Sequence, residues 1–159
     1  MKKNILISIP ISLLFSVISY AQLNNEESIK ILIAKSEVSL KQLAFDSSYY
    51  YAEKATKLAE KTTNSNLKTQ SYITIANSLF KKGKKSEAYA FGKKAERIAT
   101  MDNNIEALLK SYLILGNIHY NKIEDKQSIT YYQKIEELAS KNKIENVTLI
   151  KALVNTGYL

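Results

Sequence analysis

Apolar residues recur along the chain at intervals of three and four, the spacing that places them on one face of a helix. Ile105, Leu108, Leu109, Tyr112, Leu115 and Gly116 mark one such face. After a polar turn from Asn121 to Lys126, a second stripe follows at Ile129, Tyr132, Ile135, Leu138 and Ala139. The same plan appears one step earlier. A helix is predicted from about Leu67 to Lys82, Gly83 supplies the residue that most readily takes the left-handed conformation ending it, and Ser86 or a neighbour caps a partner helix running through Ile98. The first pair is the least regular: Ser28 to Leu43, then Asp46-Ser47-Ser48 as the N-cap, then Tyr49 to Lys61.

These pairs are copies of one another at a spacing of 40 residues. Ala55, Ala95 and Ile135 share one register, as do Leu58, Ile98 and Leu138, then Ala59, Ala99 and Ala139, then Tyr51, Phe91 and Tyr131. In the first helix of each unit Tyr72 matches Tyr112, Ala76 matches Gly116, and Phe80 matches Tyr120. The units run over about 26–65, 66–105 and 106–145, with a partial one at 146–159. In that last stretch Leu149, Ile150, Leu153 and Val154 restart a first helix without its mate. An end helix of a stacked array needs a polar outer face. The bare stripe therefore predicts a reading frame that continues past Leu159, or an edge that is sticky, frayed or paired with a second copy.

The segments Tyr112-Leu113-Ile114-Leu115-Gly116-Asn117-Ile118-His119-Tyr120 and Ile129-Thr130-Tyr131-Tyr132-Gln133-Lys134-Ile135 resemble the two helices of the tetratricopeptide repeat, and the resemblance covers about residues 26–159. It implies an all-α fold, a right-handed superhelical array of antiparallel helix pairs. Its small residues are expected where paired helices cross closely. The chain departs from the family in a period longer than the usual ~34 residues. It has Glu60, Thr100 and Ser140 where a proline often ends the unit, and Gly92 where an aromatic is expected. The longer period resembles extended repeats of bacterial regulators. The resemblance also implies a peptide-binding groove lined by the first helices: Gln70, Ile73, Asn77, Phe80 and Lys81 in the second unit, and Lys110, Leu113, Asn117, Tyr120 and Asn121 in the third. Asn77 and Asn117 would hydrogen-bond a peptide backbone. Ile73 and Leu113 replace the lysine with which the family clamps a C-terminal carboxylate, which disfavours that ligand, and Glu37 breaks the pattern in the first unit.

The start of the chain is a different object. Lys2 and Lys3, the apolar run Ile5 to Ile18, and Ser19-Tyr20-Ala21 have the order of a secretory signal peptide spanning 1–21, with cleavage expected between Ala21 and Gln22. The run is shorter than the ~20 residues a membrane span needs and contains Pro10. Export to the periplasm or medium of a bacterium follows as the expectation. With no cysteine, neither a lipidated N-terminal Cys nor a disulfide is available, so helix packing must hold the remaining chain together. Cleavage takes two charges from the formal +8 and leaves the rest spread out. Export argues against nucleic acid, so the basic balance points to an acidic protein or envelope surface. A membrane would enter only through an anchor downstream.

Chemistry is sparse. His119 is the single histidine and no cysteine accompanies it, so a zinc site of known type cannot be assembled, and a nucleophile, histidine and acid arrangement would depend on this one residue, which occupies a position where the repeat packs a ring. The four glycines are isolated, which excludes a phosphate loop. Glu124 and Asp125, or Glu136 and Glu137, read as solvated surface beside lysines. No cofactor and no enzymatic activity are expected. The cluster Lys81, Lys82, Lys84 and Lys85 suits a helix C-terminus and could also dock an acidic partner. Tyr49-Tyr50-Tyr51 diverge around a helix, so one of them should be exposed. Asn146-Val147-Thr148 is a sequon that matters only in a glycosylating host. Two readings remain: a binding scaffold, or the extracytoplasmic sensor half of a larger regulator with an AraC-type or histidine-kinase output. Intact mass after bacterial expression tests the export step: the mature chain should begin at Gln22, and a stable envelope protein still carrying Met1 to Ala21 would refute it.

Overall fold

The structure is a computed structural model describing residues 11–120 and 126–144, with side chains described from Asn25 onward. Six helices follow in order: α1 Ile11–Lys41, α2 Phe45–Ala59, α3 Ser65–Lys81, α4 Lys85–Met101, α5 Ile105–His119 and α6 Lys126–Lys141. Among the described residues there is no strand. The expected helix pairs are present with their order intact. The partial fourth unit at 146–159 and the sequon lie outside the described residues. The first helix reaches back past Ser28 through the described residues to Ile11, because nothing between Ile11 and Lys41 is a proline or glycine to stop it. No described helix is long and apolar enough to cross a membrane.

One device ends four of the helices. Leu43, Gly83, Asn103 and Lys143 have φ of 60°, 80°, 51° and 53°. Each donates its N–H to the carbonyl three residues back, while the next residue reaches five back. Gly83 bonds the Phe80 carbonyl and Lys84 that of Leu79, both at 2.9 Å, and Asn104 bonds that of Ala99 at 2.9 Å. These are Schellman turns, which satisfy carbonyls left over at a helix end. The left-handed conformation costs a non-glycine residue about 1–2 kcal/mol, so these bonds must offset it at Leu43, Asn103 and Lys143.

The turns also relocate two of the expected caps. After Leu43, Gly83 and Asn103 the following residue is already the N-cap of the next helix, so Ala44 caps α2 and Lys84 caps α4, neither with a side-chain bond. Asp46, Ser47 and Ser48 therefore fall inside the first turn of α2, and Ser86 inside that of α4. The side-chain caps stand instead at Asn64 and Asn104, 40 residues apart. Asn64 Oδ1 accepts from the Leu67 N–H at 3.1 Å, and Asn104 Oδ1 from that of Ala107 at 3.0 Å.

The helices pack in two rows. The backbones of α1, α3 and α5 approach one another in succession, whereas α2, α4 and α6 lie against them with no Cα of one within 8 Å of the next. Side chains still meet along that second row, where Tyr89 of α4 hydrogen-bonds with Tyr131 of α6. Close approach is possible because the seam positions of α2 and α4 are Ala52, Ala55 and Ala59, then Ala88, Gly92, Ala95 and Ala99, all buried. The two glycines on the seam answer two large neighbours. A Cβ on Gly92 would sit 2.9 Å from Leu115 Cδ2, and one on Gly116 would sit 2.6 Å from Tyr132 Cε1. Gly92 thus lacks the expected aromatic because Leu115 of the next pair fills its place. In α6 the aromatic Tyr132 is present, and Gly116 makes room for it.

A polar knot joins the first three helices. Ser36 of α1, Ser48 of α2 and Ser78 of α3 are fully buried. Ser36 Oγ donates to the Ser48 carbonyl at 2.9 Å and Ser78 Oγ to the Thr74 carbonyl at 3.0 Å. Each hydroxyl has one hydrogen, so that of Ser48 is left to serve Ser78 Oγ at 2.7 Å or Ser36 Oγ at 2.9 Å. Every hydroxyl in the knot is satisfied, which removes the cost of burying it.

Gly116→Ala should destabilise the chain by about 1–3 kcal/mol through overpacking against Tyr132. Combining it with Tyr132→Leu should cost less than the two single changes added together, as measured by urea unfolding followed by circular dichroism. Strict additivity would mean the two positions do not share one volume.

Candidate functional site

The exposed face of α3 and α5 is where the repeat resemblance locates its groove. α3 presents Gln70 and Lys81 to solvent, leaves Asn77 and Phe80 half-buried, and almost fully buries Ile73. On α5, Lys110 and Tyr120 are exposed, and Leu113 and Asn117 are half-buried. Asn121 lies outside the described residues. Ile73 packs with Tyr72, Ala107 and Leu108, and Phe80 leans on the cluster of Ala76, Leu79 and Ala88. Both therefore contribute more to the core than to a surface.

Gln70, Ile73 and Lys110 do come together, around a polar cleft of about 140 Å³ completed by Asn66, Asn104 and Glu106. Gln70 Nε2 and Asn104 Nδ2 both donate to Asn66 Oδ1, at 3.4 and 3.3 Å. Lys110 Nζ donates to Glu106 Oε1 at 2.6 Å, and that bond holds the Glu106 carboxyl below its ordinary pKa. Asn66 and Asn104 were not anticipated. The 40-residue spacing of Asn64 and Asn104 is the signal that locates this end of the cleft.

The two groove asparagines are not equivalent. Asn117 Oδ1 accepts the Tyr132 hydroxyl at 2.8 Å, so it is already engaged inside its own unit. In the second unit the residue matching Tyr132 is Gly92, and Asn77 has no side-chain hydrogen bond among the described residues. Of the pair, only Asn77 presents an uncommitted amide.

His119 packs as a ring. It meets Tyr89 edge-on at 5.3 Å and stacks on Tyr131 at 5.9 Å with 11° between planes. Among the described residues no three His, Cys, Asp or Glu side chains are placed to hold a metal. The lysine cluster is partly neutralised: Lys82 pairs with Asp46 and Lys84 with Glu87 at 3.1 Å. Of the three consecutive tyrosines, Tyr50 is the exposed one.

No family model and no curated protein sequence matches the chain.

Burial raises the phenol pKa values of Tyr72, Tyr112 and Tyr131 above the usual value near 10. A phenol whose folded pKa is raised contributes stability that is complete below about pH 10 and lost as pH climbs through the raised value. Stability against urea should therefore fall as pH rises above about 10, and replacing Tyr112 and Tyr131 by Phe should flatten that decline. An unchanged slope in the double variant would show that these phenols do not set it.

Proposed function

We propose that the chain is an exported scaffold of tetratricopeptide type, which binds a peptide or protein segment along the face of α1, α3 and α5. The observation that carries this reading is the asymmetry of the two rows. The backbones of α1, α3 and α5 approach one another in succession while those of α2, α4 and α6 stay more than 8 Å apart, the spacing expected of an array that bends toward the first row and makes that face concave. Concave walls of stacked helix pairs are the binding surfaces of such folds. This one combines a polar end, the cleft of Gln70 and Lys110, with a half-buried, uncommitted amide at Asn77. An amide of that kind donates to and accepts from a backbone, which suits an extended segment rather than a compact ligand. The right-handed superhelix of the repeat family is part of the same proposal. So is work outside the cytoplasm, which rests on the leader-like order of residues 1–21.

The test is selection of peptides from a random library on the whole chain at high salt, where charge-led binding is suppressed. Asn77→Ala should cost one hydrogen bond, about 0.5–1.5 kcal/mol, or roughly two- to tenfold in Kd. Tyr50→Ala, on the opposite row, should leave affinity unchanged. The reverse result would move the site off the concave face.

A further inference from the structure

A second set of residues repeats with the helix pairs and belongs to neither the groove nor the core. Lys54, Lys94 and Lys134 stand 40 residues apart, each one residue before a fully buried position at Ala55, Ala95 or Ile135. All three are exposed. In the second pair the Lys94 ammonium lies 5.3 Å from the centre of the Tyr72 ring and 4.9 Å from that of Phe91. In the third, Lys134 repeats the arrangement at 5.4 Å from Tyr112 and 5.3 Å from Tyr131. Each pair of rings spans the two helices of one unit, with centres 5.8 and 6.0 Å apart. The lysine therefore bridges the seam between them. The first unit has Leu32 in place of the first ring, and there Lys54 donates to the Tyr50 hydroxyl at 2.5 Å while Lys35 covers Tyr51 at 5.7 Å, so the ring-held arrangement is complete only in the second and third units.

The lack of a carboxylate partner sets these charges apart from their neighbours. Lys57 and Lys93, on the same helices, pair with Glu53 and Glu96. Lys54, Lys94 and Lys134 have no carboxylate partner among the described residues. A ring beneath the ammonium attracts it and restricts the side chain, yet leaves the outward hemisphere of the cation free. The result is a row of positive charges held in place in advance and left unneutralised.

We infer that this row docks an acidic, extended polypeptide segment that runs across the helix pairs and seats a carboxylate on each ring-held ammonium. The charge of the chain, formally +8, is complementary to such a partner. At the middle station Arg97 adds a second cation beside Lys94, and both border an open hollow of about 570 Å³ over α4. Because no Cα of α2, α4 or α6 comes within 8 Å of the next helix in that row, successive stations lie farther apart than the roughly 8–10 Å of packed helices. An extended chain advancing about 3.3 Å per residue bridges that gap with acidic residues roughly four apart. The surface is distinct from the concave face, so this inference stands or falls independently of the groove.

The probe is a poly-L-glutamate chain of about 20 residues, titrated against the whole protein by calorimetry at low and moderate salt. Lys94→Gln with Lys134→Gln should weaken binding about tenfold or more. Lys41→Gln with Lys61→Gln, which removes the same charge from lysines without rings, should change it less than about threefold. Lys94→Arg with Lys134→Arg keeps both charge and stacking and should bind like the parent, which separates loss of the row from loss of the fold. Equal weakening by the two glutamine doubles would overturn the inference in favour of diffuse charge. So would tighter binding of inorganic polyphosphate, or of vesicles rich in anionic lipid, than of polyglutamate, since the occupant would then be a phosphate surface.

Discussion

How closely the helices of neighbouring and paired units approach is the constraint on which the rest depends. Alanine and glycine on the inward faces of α2 and α4 bring these helices against the first row. Every larger side chain must then be met by a smaller one opposite. The exchange is visible twice, where Gly92 yields to Leu115 and Gly116 yields to Tyr132. It conserves volume at the seam while allowing each unit its own residues, the kind of substitution that packed interiors tolerate best.

The same exchange reaches the working face. A tyrosine placed at the seam of the third unit extends its hydroxyl to Asn117, and a glycine at the equivalent place in the second unit leaves Asn77 without that partner. Two asparagines identical in register thus have different tasks. One orders its own unit, and the other is available to a ligand. Core packing thus leaves one amide open on the proposed binding face without any change in the groove itself.

The pair order, the 40-residue register and the left-handed turn at Gly83 were legible because they follow from local rules: apolar spacing, self-similarity and the freedom of glycine. The same rules misplaced the N-caps of α2 and α4. Serine and aspartate near a helix start usually cap it, but Schellman turns at Leu43 and Gly83 had already set the boundary two or more residues earlier. Nothing local to Leu43 or Lys143 announces a left-handed conformation; only their places 40 residues from Gly83 and Asn103 do. Within the expected groove, exposure of Gln70 and Lys110 followed from helical phase. The burial of Ile73 and the engagement of Asn117 depend on neighbours far away in sequence, which one chain read by itself does not display.

The serine knot has a consequence for registry rather than for strength. Ile29 and Ile33 secure α1 against α2 through contacts that are apolar and non-directional, so a slip of one helical turn would replace them with similar ones. Hydroxyl bonds are directional and admit one alignment. Ser36 can reach the Ser48 carbonyl only where Ser48 and Ser78 also meet. A slipped arrangement would break the bonds between helices, leaving Ser78 only its own-helix bond to the Thr74 carbonyl and costing about 1–3 kcal/mol for each hydroxyl stranded. The knot therefore acts as a detent: it adds little to the depth of the native well and removes the wells on either side of it.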